Sequence, residues 1–201
     1  MSSRLIKSQV DFACANRFVE LLAGPEVRVC FRLIHDKDKT KPAITLFGTL
    51  SEHWKRINAA QCVGYGAFMV INEGGNRDVE ITNVRAVFID ADNRPIPRLW
   101  HVEPDLIVRR DATHWHAYWI VRGGTVAEFP QLQKRLAAFY GTDAMVSNKS
   151  RVMRIPGFIH QKDIPMPVML EVRSNGIDTC LLGASMRELA AGLPELAVPL
   201  R

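Results

Sequence analysis

The sequence predicts an α+β or α/β sandwich, with a mixed or antiparallel sheet covered by helices. Apolar segments of period two and segments of helical spacing follow one another in runs, mixing hairpins with crossovers. The chain is 47% hydrophobic and 23% charged over 201 residues, which excludes a disordered, collagen-like or low-complexity polymer. No internal repeat and no Ser/Gly linker interrupts it. A chain of this length buries about 70% of its unfolded surface, so the core needs no disulfide or metal to hold it.

The elements follow in order. Within 8–23, Phe12, Ala15, Val19 and Leu22 recur at helical spacing and stop at Gly24-Pro25, predicting an amphipathic helix. Val27, Val29, Phe31 and Leu33 then alternate with Arg28, Cys30 and Arg32, the pattern of a half-buried strand. The polar run 36–41 makes a turn, and 43–50 a second strand. Ser51 is the expected N-cap of a helix reaching about Gln61. A strand over 65–72 and a loop over 73–78 follow. Three strands, 84–90, 105–109 and 114–121, precede a helix over 125–140 with Val126, Phe129, Leu132, Leu136 and Phe139 on one side. A strand over 168–173 and a short helix over 184–191 complete the pattern.

Twenty-six Lys and Arg stand against twenty-one Asp and Glu, a net charge of +5. That excess fits an anionic partner such as a nucleic acid or nucleotide, without naming one. The four cysteines, Cys14, Cys30, Cys62 and Cys180, are dispersed with no C-x-x-C pair, so neither a zinc site nor a disulfide framework is expected. No apolar run approaches the ~18 residues of a membrane span and no leader-like h-region opens the chain, so a cytoplasmic protein with no membrane partner is expected.

Three features carry chemistry. In Ala86-Val-Phe-Ile-Asp90-Ala-Asp92, four apolar residues drive a strand into the core and two carboxylates follow at i and i+2. Those positions share a face of a strand, and the repulsion between two adjacent carboxylates calls for a cation such as Mg²⁺ or Mn²⁺. The alternative is a plain turn at Asp92-Asn93-Arg94-Pro95 whose side chains cap their own backbone. In Thr113-His114-Trp115-His116-Ala117-Tyr118-Trp119, alternation sets His114, His116 and Tyr118 on one face, suited to metal or phosphate, unless they are ordinary sheet histidines packed on aromatic neighbours. After Asp143, residues 144–162 hold no carboxylate but carry Lys149, Arg151, Arg154 and Lys162, with His160. Arg forks and Lys ammoniums match phosphate oxygens; the alternative is a solvated basic face. Carboxylates, a neighbouring histidine strand and a basic cradle are together the parts that nucleotidyl transfer needs.

The order Asp90-x-Asp92, then His116 on a following strand, then Asp143 and the basic segment 151–162 resembles the archaeo-eukaryotic primase–polymerase superfamily, and within it the plasmid RepB-like DNA primases. Trp54-Lys-Arg-Ile-Asn58-Ala is similar to the family's segment before its first core strand. Arg154-Ile-Pro-Gly157-Phe-Ile-His-Gln-Lys162-Asp resembles its R-L-x-G-x-x-N-x-K-D signature. The likeness spans roughly residues 50–175. It implies an RRM-like catalytic module (about 76–180) joined to a small α/β unit (about 1–75), with 181–201 a C-terminal helix that starts a helical subdomain. It further implies Asp90, Asp92 and Asp143 as catalytic, metal-binding carboxylates for two Mg²⁺ or Mn²⁺ ions. His116, with His114, would contact nucleotide phosphate, and Arg154, Lys162 and Arg151 would hold the triphosphate or template backbone. Two positions depart from the pattern: His160 stands where the family has Asn, and His114 fills a small polar position.

The activity so implied is primer synthesis on single-stranded DNA from NTPs or dNTPs, in plasmid, phage or mobile-element replication. A monomer working with a replicative helicase or fused partner is the implied setting. Two other readings compete. His114-Trp-His116 is also the His-hydrophobic-His motif of initiator and relaxase endonucleases, for which Tyr140 is the helical nucleophile candidate, although Asp143 rather than Lys follows it. A non-catalytic RRM-like module would instead stack bases on Tyr65, Phe68 or Trp119.

Overall fold

The computed structural model describes residues 10–121, 124–173 and 185–195. Cys180 and the opening residues of the first and last expected helices fall outside them. Two four-stranded antiparallel sheets organise the rest. The first takes β1 (Val29–His35), β2 (Ile44–Gly48), β3 (Tyr65–Val70) and β7 (Val152–Arg154), in the order β2-β1-β3-β7. The second takes β4 (Ala86–Ala91), β5 (Leu106–Arg109), β6 (Trp115–Ile120) and β10 (Met169–Val172), in the order β10-β5-β6-β4. A two-stranded ribbon of β8 (Ile159–His160) and β9 (Met166–Pro167) lies between β7 and β10 in the chain. Every pairing is antiparallel, within the expected α+β class.

The helices are α1 (Phe12–Ala23), α2 (Leu50–Cys62), α3 (Phe129–Tyr140) and the short α4 (Met186–Ala190). α1 starts at an Asp11 cap, whose carboxylate accepts the Cys14 N–H at 3.0 Å, and buries Ala15, Phe18, Val19 and Leu22. α2 begins two residues earlier than Ser51 predicts. Thr49 Oγ1 accepts the Glu52 N–H at 3.1 Å and Glu52 accepts the Thr49 N–H at 3.0 Å, a reciprocal cap. That box ends the second strand at Gly48, so Leu50 joins the helix and buries there. α3 closes at Gly141, whose φ of 63° is the left-handed conformation that a glycine C-cap adopts without a Cβ clash.

One apolar core runs through both sheets, from Phe18 and Phe31 through Met69 and Phe88 to Tyr118, Trp119 and Phe129, all 1% exposed or less. Strand β7 comes from the second half of the chain yet pairs with β3, at Phe68↔Arg154 through Val70↔Val152. The sequence places the Arg151 and Arg154 pair beside a Pro-Gly turn and names no strand there, because three residues give period two too little length to register. Among the described residues Cys14, Cys30 and Cys62 are free, and no helix is long and apolar enough to cross a membrane.

Candidate active site

The C-terminal ends of β4 and β5 and the start of β6 meet at one end of the second sheet. Asp90 of β4 and His116 of β6 are direct cross-strand partners, so their side chains leave the same face. His116 Nε2 lies 3.4 Å from Asp90 Oδ1 and Nδ1 lies 3.1 Å from the Tyr118 hydroxyl. The nitrogen facing a carboxylate carries the proton, which leaves Nδ1 to accept the Tyr118 O–H. Burial lowers the His116 pKa, and Arg154 adds to the effect against the pull of Asp90 and Asp92. Burial, with Asp90 nearby, raises that of Tyr118 well above the usual phenol value. A neutral imidazole and a protonated phenol follow, in a line that ends at Asp90.

Asp92 lies beyond the strand, on the exposed rim of the same cleft as Asp90, as the i, i+2 spacing requires. The turn reading also holds in part: Asn93 has a φ of 59°. Two bonds fix that turn, from the Arg94 N–H to Thr113 O at 3.0 Å and from Trp115 Nε1 to Arg94 O at 2.7 Å. Asp143 reaches this strand end along β4's open edge. Its N–H donates to Asp90 O at 3.1 Å, and the Phe88 N–H donates to Gln133 Oε1 of α3 at 2.9 Å. The Asp143 carboxylate accepts the Met145 N–H at 2.8 Å, so it turns toward its own loop and does not line the cleft.

The opposite wall is the first sheet. Arg154, at the end of β7, gives both terminal nitrogens to Asp36, at 2.6 and 3.3 Å, and its guanidinium lies 4.4 Å from the centre of the Phe68 ring. Asp36 is 4% exposed and also accepts the Gln161 N–H at 2.8 Å. Gly66 leaves room beneath this pair, because a Cβ there would displace Arg154 and crowd Asp36 and Phe68. Gln61, buried at the end of α2, holds the strand of His160 through two bonds to Ile159, at 3.0 and 3.2 Å.

A third group closes the cleft. Asp111 accepts His114 Nδ1 at 2.9 Å and Arg110 Nε at 3.0 Å, and Arg110 Nη1 approaches His160 Nε2 at 3.2 Å. Burial pushes the Asp111 carboxyl up, but the hydrogen bonds from His114, Thr113 and Arg110 outweigh it and hold it well below the usual range. Guanidinium only donates, so His160 Nε2 accepts and its buried Nδ1 carries a proton without a partner among the described residues. Burial first, then Arg154 and Arg110, push the His160 pKa down to about 4.

These groups surround a cleft of about 200 Å³. It brings together Asp90, Asp92, His114, His116, Arg154, His160 and Phe68 of the residues singled out from sequence. Lys162 is exposed and lies outside it, and Arg151 turns away to donate to the Met145 carbonyl. The contiguous basic segment is therefore not one cradle, since only Arg154 and His160 of it face inward. Three groups were missed: Asp36, read as part of a polar turn; Arg110, one residue past an expected strand; and Asp111. Their only signal was proximity to strand ends that antiparallel pairing gathers. Tyr140 is outside the cleft: its hydroxyl accepts the His101 N–H at 3.0 Å and its ring stacks on Trp119. Trp119 is 1% exposed and offers no stacking face to a base.

Among the described residues no three His, Cys, Asp or Glu side chains converge closely enough to hold a metal ion. The chemistry of the donors does suit a hard divalent cation, with two carboxylates on one cleft wall and a third one backbone bond from Asp90.

Residues 80–180, half of the chain, match the model of the RepB DNA-primase N-terminal domain. The chain belongs to that primase family. Solved structures share the fold of this primase chain. The AEP domain of the cyanophage S-2L primase-polymerase (PrimPol) superposes with a TM-score of 0.74 at 24% identity, covering 92% of this chain and 100% of that one. The primase RepB′ superposes at 0.62 and 16% identity, covering 89% of this chain and 61% of that one. The catalytic domain of RepB′ in complex with initiator DNA gives 0.63 and 18%, covering 89% and 92%. No curated protein matches the chain significantly.

Proposed function

We propose that this primase-family chain synthesises short primers on single-stranded DNA from nucleoside triphosphates, in the replication of a plasmid, phage or mobile element. The observation that carries the reading is the convergence of Asp90, Asp92, His116 and Arg154 from two sheets on one cleft. The complex of the RepB′ catalytic domain with initiator DNA supports a DNA template. Asp90, Asp92 and Asp143 would hold two Mg²⁺ or Mn²⁺ ions, which supply charge neutralisation at the α-phosphate and acidify the attacking 3′-hydroxyl.

The chain's own groups do the rest. His116 Nε2–H, held in that tautomer by Tyr118, donates to a nucleotide phosphate oxygen. Arg154 keeps two of its donors on Asp36 and turns the others to the triphosphate. Arg110 and His114, braced by Asp111, extend the cationic side. Arg151 and Lys162 contribute through the template backbone outside the cleft rather than through the triphosphate. An endonuclease reading lacks its nucleophile in the cleft, since Tyr140 packs on Trp119.

The test is primer synthesis on single-stranded DNA with labelled NTPs and dNTPs in parallel, each with Mg²⁺ and Mn²⁺. Asp90→Ala and Asp143→Ala should each cut product at least about a hundredfold. Full activity in both variants would sink the assignment.

A further inference from the structure

One transverse row of side chains leads out of the cleft across the first sheet. Thr45 pairs with Arg32, Arg32 with Phe68, and Phe68 with Arg154, each directly across an antiparallel ladder. Direct partners project from one face, so the four stand in line on the face opposite the buried Phe31, Leu33 and Met69. Three interstrand gaps make the row about 14 Å long, the reach of a few nucleotides. Its inner end, Phe68 and Arg154, lines the cleft. Its outer end, Thr45, is exposed on the edge strand β2.

Arg32 sits between, half-buried, and its Nε is buried with no acceptor among the described residues. A cation placed this way carries a desolvation cost that an anion would relieve. Two residues along β2 on the same face, Phe47 is 55% exposed, with the Arg28 guanidinium 5.6 Å from its ring centre. Arg28 itself is held by Glu52 at 2.8 Å, which fixes it beside the ring. Phe47 is the direct partner of Cys30 and forms the exposed outer end of the adjacent row, whose inner members Cys30 and Val70 are closed off by Ile81 and bound the strip on that side.

We propose that this row is a track for the single-stranded DNA template, with Arg32 on a backbone phosphate and Phe47 stacking a base. An open sheet face that alternates guanidinium with aromatic rings is the chemistry that binds unpaired strands. Continuity with the cleft gives the track its direction, from the site of synthesis to the β2 edge. The inference rests on the primase reading above, and it adds a path for the strand.

Binding of a labelled oligo-dT of about 15 nucleotides to the full chain, followed by fluorescence anisotropy across a salt series, tests the track. Arg32→Ala should weaken binding about three- to tenfold and make the slope of log K against log[salt] shallower by about 0.7, the share of one phosphate on a single strand. Arg32→Lys should restore the slope. Phe47→Ala, at an exposed position that the fold does not need, should weaken binding about fivefold with the slope unchanged. Wild-type affinity and slope in both alanine variants would overturn the track. So would displacement of the oligonucleotide by a polyglutamate peptide as readily as by unlabelled oligo-dT, which would mark an acidic-protein site. If the wild type primes DNA while these variants bind it unchanged, the track alone fails. If the wild type binds no single strand, the primase reading fails with it.

Discussion

The two walls of the cleft are built on opposite plans. On the first sheet Arg154 is held in place: one N–H of each terminal nitrogen goes to Asp36, Phe68 lies under its plane, and Gly66 leaves the room it needs. On the second sheet the Asp90 carboxylate has, among the described residues, only His116, at 3.4 Å, longer than a good hydrogen bond. Asp92 lies exposed at the rim, and Asp143 waits on a loop beside them. The cationic wall is thus braced by the protein's own groups, whereas the anionic wall is held loosely. The difference is between a wall whose arginine is braced on three sides and a wall whose Asp90 and Asp92 are held loosely.

If the cationic wall is locked, breaking its lock should cost the most. Asp36→Asn leaves the Arg154 guanidinium without its buried counter-charge, and chemical denaturation should show a loss of about 3–5 kcal/mol. A loss under about 1 kcal/mol would mean that solvent or another carboxylate replaces Asp36, and the contrast would fail.

The third group, around Arg110, should reveal itself through pH. His160 has its folded pKa depressed to about 4 from an ordinary 6.5. The unfolded chain therefore takes up that proton first as pH falls, so stability is full above about 6.5 and is lost between there and about 4. The loss should be roughly 2 kcal/mol once solvent screening is allowed for. His160→Asn, which restores the residue of the family signature, should remove that acid-sensitive component from melting curves taken between these two pH values.

A smaller effect tests the line through His116. Tyr118→Phe removes the hydroxyl that donates to Nδ1 and should cost about 1 kcal/mol of stability. If the hydroxyl also fixes the tautomer, the variant should raise the KM for nucleotide more than it lowers kcat. Equal changes in both would reduce Tyr118 to a core residue.

The smallest expected change has the opposite sign. In metal-free buffer Asp90→Asn should raise stability by a few tenths of a kcal/mol, because it relieves repulsion from Asp92 at little other cost. A clear fall in Tm would instead place Asp90 among the locked residues and erase the difference between the walls.

The carboxylate wall was legible because it is local: alternation fixes Asp90 with Asp92, and His114 with His116, within a single strand each. The locked wall was legible only by half. Arg154 stands out in a basic segment, but its partner Asp36 lies 118 residues away, in a run that reads as turn chemistry. Charge density along the chain overstated the cradle, because Arg151 and Lys162 are neighbours of Arg154 in sequence and not in the cleft. The capping box at Thr49 was hidden by an apolar run that continues through Leu50, where strand and helix share the same residue types. What sequence order could not supply was long-range strand pairing, since β7 returns to β3 from 82 to 86 residues on.

The bond from Asp143 to the backbone of Asp90 has a further consequence, for how copies of this chain keep apart. β4 is an outer strand, and exposed strand edges recruit the edges of other chains. Gln133 and Asp143 occupy polar groups along that edge, so the segment that carries Asp143 past the strand end also blocks edge-to-edge association. Shortening the loop after α3 would trade a missing side chain for self-association, and the resulting aggregate would mimic a dead enzyme. Substituting the Asp143 side chain alone keeps the edge closed, which is why that variant reports on chemistry.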